Sequence, residues 1–241
     1  MKPIRISSTH AIEHTLLHRP NRIQSLSIVR SALSNPKVKR IESLAQNAGI
    51  KIHLSDQSGK DGAAVTAVIA AFPYTEIKPF IERHAKQTKQ LVIALDHLQD
   101  PHNLGAIIRS AEALGANAVM IPKTRSALVS EGVYASSAGA VETLPIILVA
   151  NLGEGLRKFK EQNYWIVGAH HSEKSTEIRE LPTFDKIVLV MGAEDTGLTE
   201  IIQKVCDWHL MIPQVGKIES LNVSVASAIL TYAILSRHQA T

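Results

Sequence analysis

Cysteine is nearly absent: Cys206 is the only one in 241 residues. A disulfide framework within the chain is excluded, and so is a Cys-rich zinc site. Aromatic residues make up 4% of the chain, so the core has to be built from Ile, Leu, Val and Ala. Long apolar runs are missing as well. Stretches such as 144–150 and 187–191 fall far short of the roughly 20 residues a membrane helix needs. The first residues, Met1-Lys2-Pro3-Ile4-Arg5, lack the apolar run of a signal peptide. A soluble protein in a reducing, cytoplasmic setting, with no membrane partner, is the expectation. No Gly-x-Gly-x-x-Gly fingerprint and no Walker A loop occurs, and there is no metal-ligand cluster, internal repeat or low-complexity tract.

What is present is an ordinary globular composition, 45% hydrophobic and 20% charged, which excludes intrinsic disorder. The charge is unevenly placed. Residues 1–90 carry 14 basic and 6 acidic groups, and residues 91–241 carry 12 basic and 16 acidic. A basic front part suggests a polyanionic partner.

The chain alternates strand and helix patterns. A short strand and a helix over 5–19 stop at Pro20. Strands are expected at 25–29, 50–54 and 65–71, with a helix over 37–49. Residues 74–90 read as a charged helix linking two parts. The second part alternates again: strands at 90–95, 118–121, 146–150, 164–169, 187–191 and 209–212, and helices over 104–114, 152–162, 199–206 and 222–237. Such alternation implies an α/β fold with a mostly parallel sheet covered by helices on both faces. The expected domains are 1–85 and 90–241.

Three strand-to-loop-to-helix connections stand out. The first runs Asp96-His97-Leu98-Gln99-Asp100-Pro101-His102-Asn103-Leu104-Gly105 and on to Arg109. Ligands of open parallel sheets bind at such positions, and Asn103 suits a helix N-cap. The second, Met191-Gly192-Ala193-Glu194-Asp195-Thr196-Gly197-Leu198, has two glycines that let backbone approach a ligand closely. The third follows Ile212-Pro213 and opens a helix with Ser220, Asn222 and Ser224, and a helix N-terminus favours an anionic ligand. Each loop alone also reads as an ordinary cap or tight turn. If their strands are neighbours, one pocket holds Asn103, Arg109, Glu194, Ser220 and Asn222.

Together the segments Asn103-x-Gly105-x-x-x-Arg109, Met191-Gly192-Ala193-Glu194-x-x-Gly197-Leu198 and Ile212-Pro213 through Glu219-Ser220-Leu221-Asn222-Val223-Ser224-Val225-Ala226 resemble the signature motifs of the SpoU/TrmH family of RNA ribose 2′-O-methyltransferases. The resemblance covers residues 90–238. The front part resembles, more loosely, the small RNA substrate-binding domain, similar to ribosomal protein L30e, of the subgroup acting on 23S rRNA guanosine. That subgroup often carries His-Gln-Gly where this chain reads Asp61-Gly62-Ala63-Ala64-Val65. The resemblance implies a C-terminal trefoil knot, a feature that default topology rules would not suggest. It also implies a homodimer through the knotted regions and S-adenosylmethionine as methyl donor. The donor would be held around Gly192, Gly197, Ile212 and Leu221.

By the same resemblance Arg109 is the catalytic residue, proposed as the base in family members. A guanidinium stays charged, with a pKa above ~12, so orienting or stabilising the nucleophile suits it better. Asn103, Ser220 and Asn222 would position Arg109, the ribose or the donor, and Glu194 would hold Arg109 or a loop amide. His97 and His102 have a base's pKa range but lie outside the matched motif positions. Arg5, Arg19, Arg22, Arg30, Lys37, Lys39 and Arg40 are the candidates for RNA phosphates. With few aromatics for base stacking, shape recognition is the expectation. The substrate reading is rRNA, with tRNA as alternative. A non-catalytic RNA-binding module and a dinucleotide-dependent enzyme are the rival classes.

Overall fold

The computed structural model describes residues 2–59, 62–170, 175–193, 196–217 and 220–239. Its front lobe holds β1 (Ile4–Ile6), α1 (Thr9–His18), β2 (Ile23–Val29), α2 (Pro36–Asn47), β3 (Ile52–Ser55) and β4 (Val65–Ile69). These form a four-stranded mixed sheet in the order β1-β4-β2-β3, parallel only between β2 and β3. Apolar residues alternate along the strands, so β4 buries Val65, Ala67 and Ile69 and turns Thr66 and Val68 outward. Helix α1 ends before Pro20, as the sequence suggests, and α2 is capped by Asn35 with Pro36 at its first position.

The long helix expected over 74–90 is much shorter. α3 covers Ile77–His84, and Thr75 instead bridges to Ile147 of the large sheet. Pro79 explains part of this, because proline is tolerated only in the first turn of a helix.

The second lobe is α/β as expected. It runs β5 (Gln90–Leu95), α4 (Pro101–Leu114), β6 (Ala118–Pro122), α5 (Glu131–Ser136), β7 (Ile146–Val149), α6 (Leu152–Lys160), β8 (Trp165–Ala169), β9 (Thr176–Glu177), β10 (Lys186–Met191), α7 (Glu200–Val205), β11 (Trp208–Met211) and α8 (Val223–Gln239). The short elements α5 and β9 carry too little periodicity to be read from sequence. All pairings of the seven-stranded sheet, β7-β6-β5-β10-β8-β11-β9, are parallel. All six residues of β5 are buried, as a central parallel strand covered on both faces requires.

The lobes share one apolar cluster, running from Ile6, Ile12 and Leu26 to Leu91, Ile107 and Val133. At their seam Glu142 is fully buried. Its Oε1 accepts from Arg22 Nη1 at 2.5 Å, Tyr134 Oη at 2.7 Å and Thr15 Oγ1 at 3.2 Å. Arg22 also donates to the Ala70 carbonyl at 2.7 Å and stacks over Phe72. Arg22 therefore corrects one expectation. The turn after Pro20 directs its guanidinium into the seam, where it cannot meet RNA. Arg19 leans the same way, with Nε 3.7 Å from Glu142.

Candidate functional site

Because the large sheet is parallel throughout, the loops after β5, β10 and β11 all leave one edge, where such sheets bind ligands. A cleft there is lined by residues from the ends of β8, β10 and β11 and from the start of α8. Its lining includes all four donor-binding candidates, Gly192, Gly197, Ile212 and Leu221, together with Ser220. His170, Gln214 and Met211 also line it and were not singled out from sequence. Sequence marks them only by position: each follows or ends a strand, and the order of strands in the sheet is not written in local sequence. Glu194 lies outside the described residues.

The two glycines work together. Ala193 and Gly197 pair across the turn, with Ala193 N donating to Gly197 O at 3.2 Å and Gly197 N to Ala193 O at 2.9 Å. A Cβ at Gly192 would fall inside the Gly197 and Leu198 backbone, and Gly197 has φ +63°. Glycine at these positions closes the turn on itself, a reason additional to ligand approach. The far side of the turn is anchored by Asp96. This fully buried carboxylate accepts from Thr199 N at 2.8 Å and Thr199 Oγ1 at 2.9 Å through Oδ2. Its Oδ1 meets His97 Nδ1 at 2.5 Å. His97 is thereby tied to the loop anchor, and His102 is exposed on α4.

Asn103 and Asn222 meet at the rim. Asn222 Nδ2 donates to Asn103 Oδ1 at 3.0 Å, joining the first turns of α4 and α8. Asn222 Oδ1 accepts from Ser224 N at 2.9 Å and so caps α8. The cap of α4 is Asp100, which accepts from His102 N at 2.9 Å, in place of the expected Asn103. The asparagine is thus left for the contact with α8. Gly105 has a packing role: a Cβ there would fall on Ser136 Oγ and 2.9 Å from Ser137 N, so α4 lies directly against α5.

The single pocket expected from sequence is only partly realised. Asn103 and Asn222 are at the rim, and Arg109 does not line the cleft. Six residues beyond Asn103, Arg109 lies about 240° around the helix, opposite the buried residues Leu104, Ile107 and Ile108. It is exposed and has no ion-pair partner among the described residues.

Two further groups pack against Gly168 of β8. Burial, and next the neighbouring His170, hold the His209 imidazole below its ordinary pKa. Burial pushes the Cys206 thiol up to about 12, so it is a neutral packing group and no nucleophile at neutral pH. Among the described residues no cluster of His, Cys, Asp or Glu is placed to hold a metal. No helix among them is long and apolar enough to cross a membrane.

The phosphate candidates separate into groups. Arg5, Lys37 and Lys39 are exposed without ion-pair partners among the described residues. Arg30 pairs with Asp56 at 3.0 Å, and Arg40 pairs with Glu13.

Comparison with known proteins decides the family. Residues 90–232 match the model of the SpoU rRNA Methylase family. A TrmH family tRNA/rRNA methyltransferase of Staphylococcus saprophyticus is 32% identical over 98% of this chain and 97% of its own length. This chain belongs to the SpoU/TrmH family of RNA methyltransferases. A similar protein of Staphylococcus epidermidis is also 32% identical, over 99% of this chain and 98% of its own length. Among solved structures, the SpoU methyltransferase AviRb from Streptomyces viridochromogenes, in complex with AdoMet, shares the fold. Its TM-score is 0.83 at 21% identity, covering 99% of this chain and 92% of that one. The A. aeolicus TrmH/SpoU tRNA modifying enzyme matches with a TM-score of 0.58 and 30% identity, covering 68% of this chain and 83% of that one.

Proposed function

We propose that this family member transfers a methyl group from S-adenosylmethionine to a ribose 2′-oxygen of structured RNA, with a 23S rRNA guanosine as the target. The observation that carries the reading is the cleft: Gly192, Gly197, Ile212 and Leu221, named from motif positions far apart in sequence, line one cavity with Ser220. Its wall suits the donor. Met191, Leu210, Ile212 and Leu221 offer apolar surface to a base, while Gln214, Ser220 and His170 offer polar atoms. The bound donor would supply a sulfonium-activated methyl group.

The chain's own residues then have to position and polarise. Gly192, Ala193 and Gly197 form one wall, and Thr199 beyond them is held by Asp96. The Asn103–Asn222 bond links the first turns of α4 and α8 beside the cleft, and Arg109 stands farther along α4. Arg109 carries a permanent charge on an exposed face, suited to hold an RNA phosphate or stabilise the developing alkoxide. Alignment of the 2′-hydroxyl with the methyl group is the main lever.

The remaining parts of the proposal rest on the family match and on surface chemistry. Residues 1–85 act as an L30e-like RNA-binding domain and residues 90–241 as the knotted catalytic domain. Exposed apolar Val225, Ile229 and Tyr232 recur at helical spacing on α8, which supports a homodimer through this helix. Work on rRNA places the protein in the cytoplasm.

Calorimetric titration with S-adenosylmethionine, with NAD as control, tests the cleft. Saturable binding of the methyl donor alone is expected; binding of NAD alone would favour a dinucleotide enzyme. Arg109→Ala should abolish methyl transfer to rRNA while leaving donor binding intact. Near-normal turnover would remove Arg109 from its role.

A further inference from the structure

The front lobe has a second, unassigned cavity on the face of its sheet away from α1 and α2. Alternation along the strands sends the apolar residues inward. Two rows of outward residues remain, fixed by register: Arg5, Val68 and Ser25 in one, Thr66 and Ser27 in the next. The loop after β3 folds over one end of this face. Ser55 holds its start, donating from Oγ to Gln57 O at 2.9 Å and accepting from Gln57 N at 3.1 Å. Gly59 lies so close that a Cβ would stand 2.5 Å from Thr66 Oγ1. The result is a concavity of about 260 Å³.

A solvated sheet face needs no concavity and no convergence of polar groups. Here the hydroxyls of Ser25, Ser27 and Thr66 line one cavity with Arg5. They have no side-chain hydrogen-bond or ion-pair partner among the described residues. Polar groups gathered in a concave site without protein partners are available to a ligand.

We propose that this cavity binds the ribose–phosphate backbone of single-stranded RNA. The chemistry of the lining selects that ligand. A serine or threonine hydroxyl both donates and accepts, matching the 2′-hydroxyl that distinguishes RNA from DNA. The Arg5 guanidinium matches phosphate. No aromatic ring is among the lining residues, so the site offers no platform for stacking a base. It grips sugar and phosphate and sets the register of the strand, without reading sequence. The surrounding lobe supplies the attracting field, since residues 1–90 carry 14 basic against 6 acidic groups. The site rests on the RNA methyltransferase reading and adds to it a contact remote from the methyl-transfer cleft.

The test is fluorescence anisotropy of the full chain with a labelled mixed-sequence oligoribonucleotide and its 2′-deoxy counterpart. The triple variant Ser25→Ala, Ser27→Ala, Thr66→Val should weaken RNA binding about tenfold and leave DNA binding unchanged. Arg5→Ala should weaken both and lower the salt slope by about 1. Unaltered circular dichroism and thermal unfolding, with unaltered calorimetric binding of S-adenosylmethionine, confirm that each variant is folded. Parental RNA affinity and RNA-to-DNA preference in the folded triple variant would overturn the site alone. Failure of the parent chain to bind the oligoribonucleotide would also overturn the site, whereas failure to bind S-adenosylmethionine would overturn the methyltransferase reading on which it rests.

Discussion

The seam between the lobes and the rim of the cleft are both built from polar side chains, in opposite ways. At the seam, Glu142 and Arg22 are almost wholly removed from water, and Thr15 and Tyr134 close round them. At the rim, Asn222 and Ser220 are exposed and Asn103 is half-buried, and Arg109 is exposed farther along α4, outside the cleft lining. A buried charge without a partner costs several kcal/mol, so the seam groups are committed to architecture. The rim groups keep access to water and can exchange it for a ligand. Burial, more than residue type, separates the arginine that holds the fold, Arg22, from the arginine available for chemistry, Arg109.

The largest expected effect would break the seam. Glu142→Gln removes the charge opposite buried Arg22 and should cost about 3–5 kcal/mol of stability, read by urea denaturation. Replacing both partners, Arg22→Met with Glu142→Leu, should recover most of that loss. A single substitution as mild as a surface change would mean that water reaches the pair. At the rim the balance reverses. Asn222→Ala should cost only about 1 kcal/mol, the usual worth of an N-cap, yet lower the turnover of methyl transfer, because the polar link between the first turns of α4 and α8 beside the cleft is lost. An unfolding cost with unchanged turnover would make Asn222 a cap and nothing more.

The smallest effect concerns pH. His209 has a folded-state pKa below its ordinary value, so the folded state resists its protonation. Its contribution to stability is complete above about 6.5 and is lost as pH falls through that value toward the folded pKa. A modest fall in melting temperature on acidification is expected, and His209→Gln should flatten it. An unchanged slope in that variant would place the acid sensitivity elsewhere.

Much of the molecule was legible in the chain. Continuous apolar runs such as Leu91–Leu95 and Ile187–Met191 announce buried parallel strands, and Gly115 with φ +92° ends α4 where the periodicity stops. The donor-binding candidates were legible because they are backbone-defined, tied to glycines and strand ends. Side-chain direction was less so. Arg19 and Arg22 look like surface cations because sequence carries no record of a glutamate 120 residues away. Asn103 looks like a cap until Asp100 is seen doing that work.

The sequence by itself determined the alternating elements, the basic front lobe and the motif positions, since these follow from local periodicity, composition and spacing. Only the tertiary structure decided which polar groups are dry. It turned Arg22 inward to Glu142, placed Arg109 outside the cleft lining and joined Asn103 to Asn222. Burial and partnership arise from contacts distant in the chain, and those contacts set the energy of a charge.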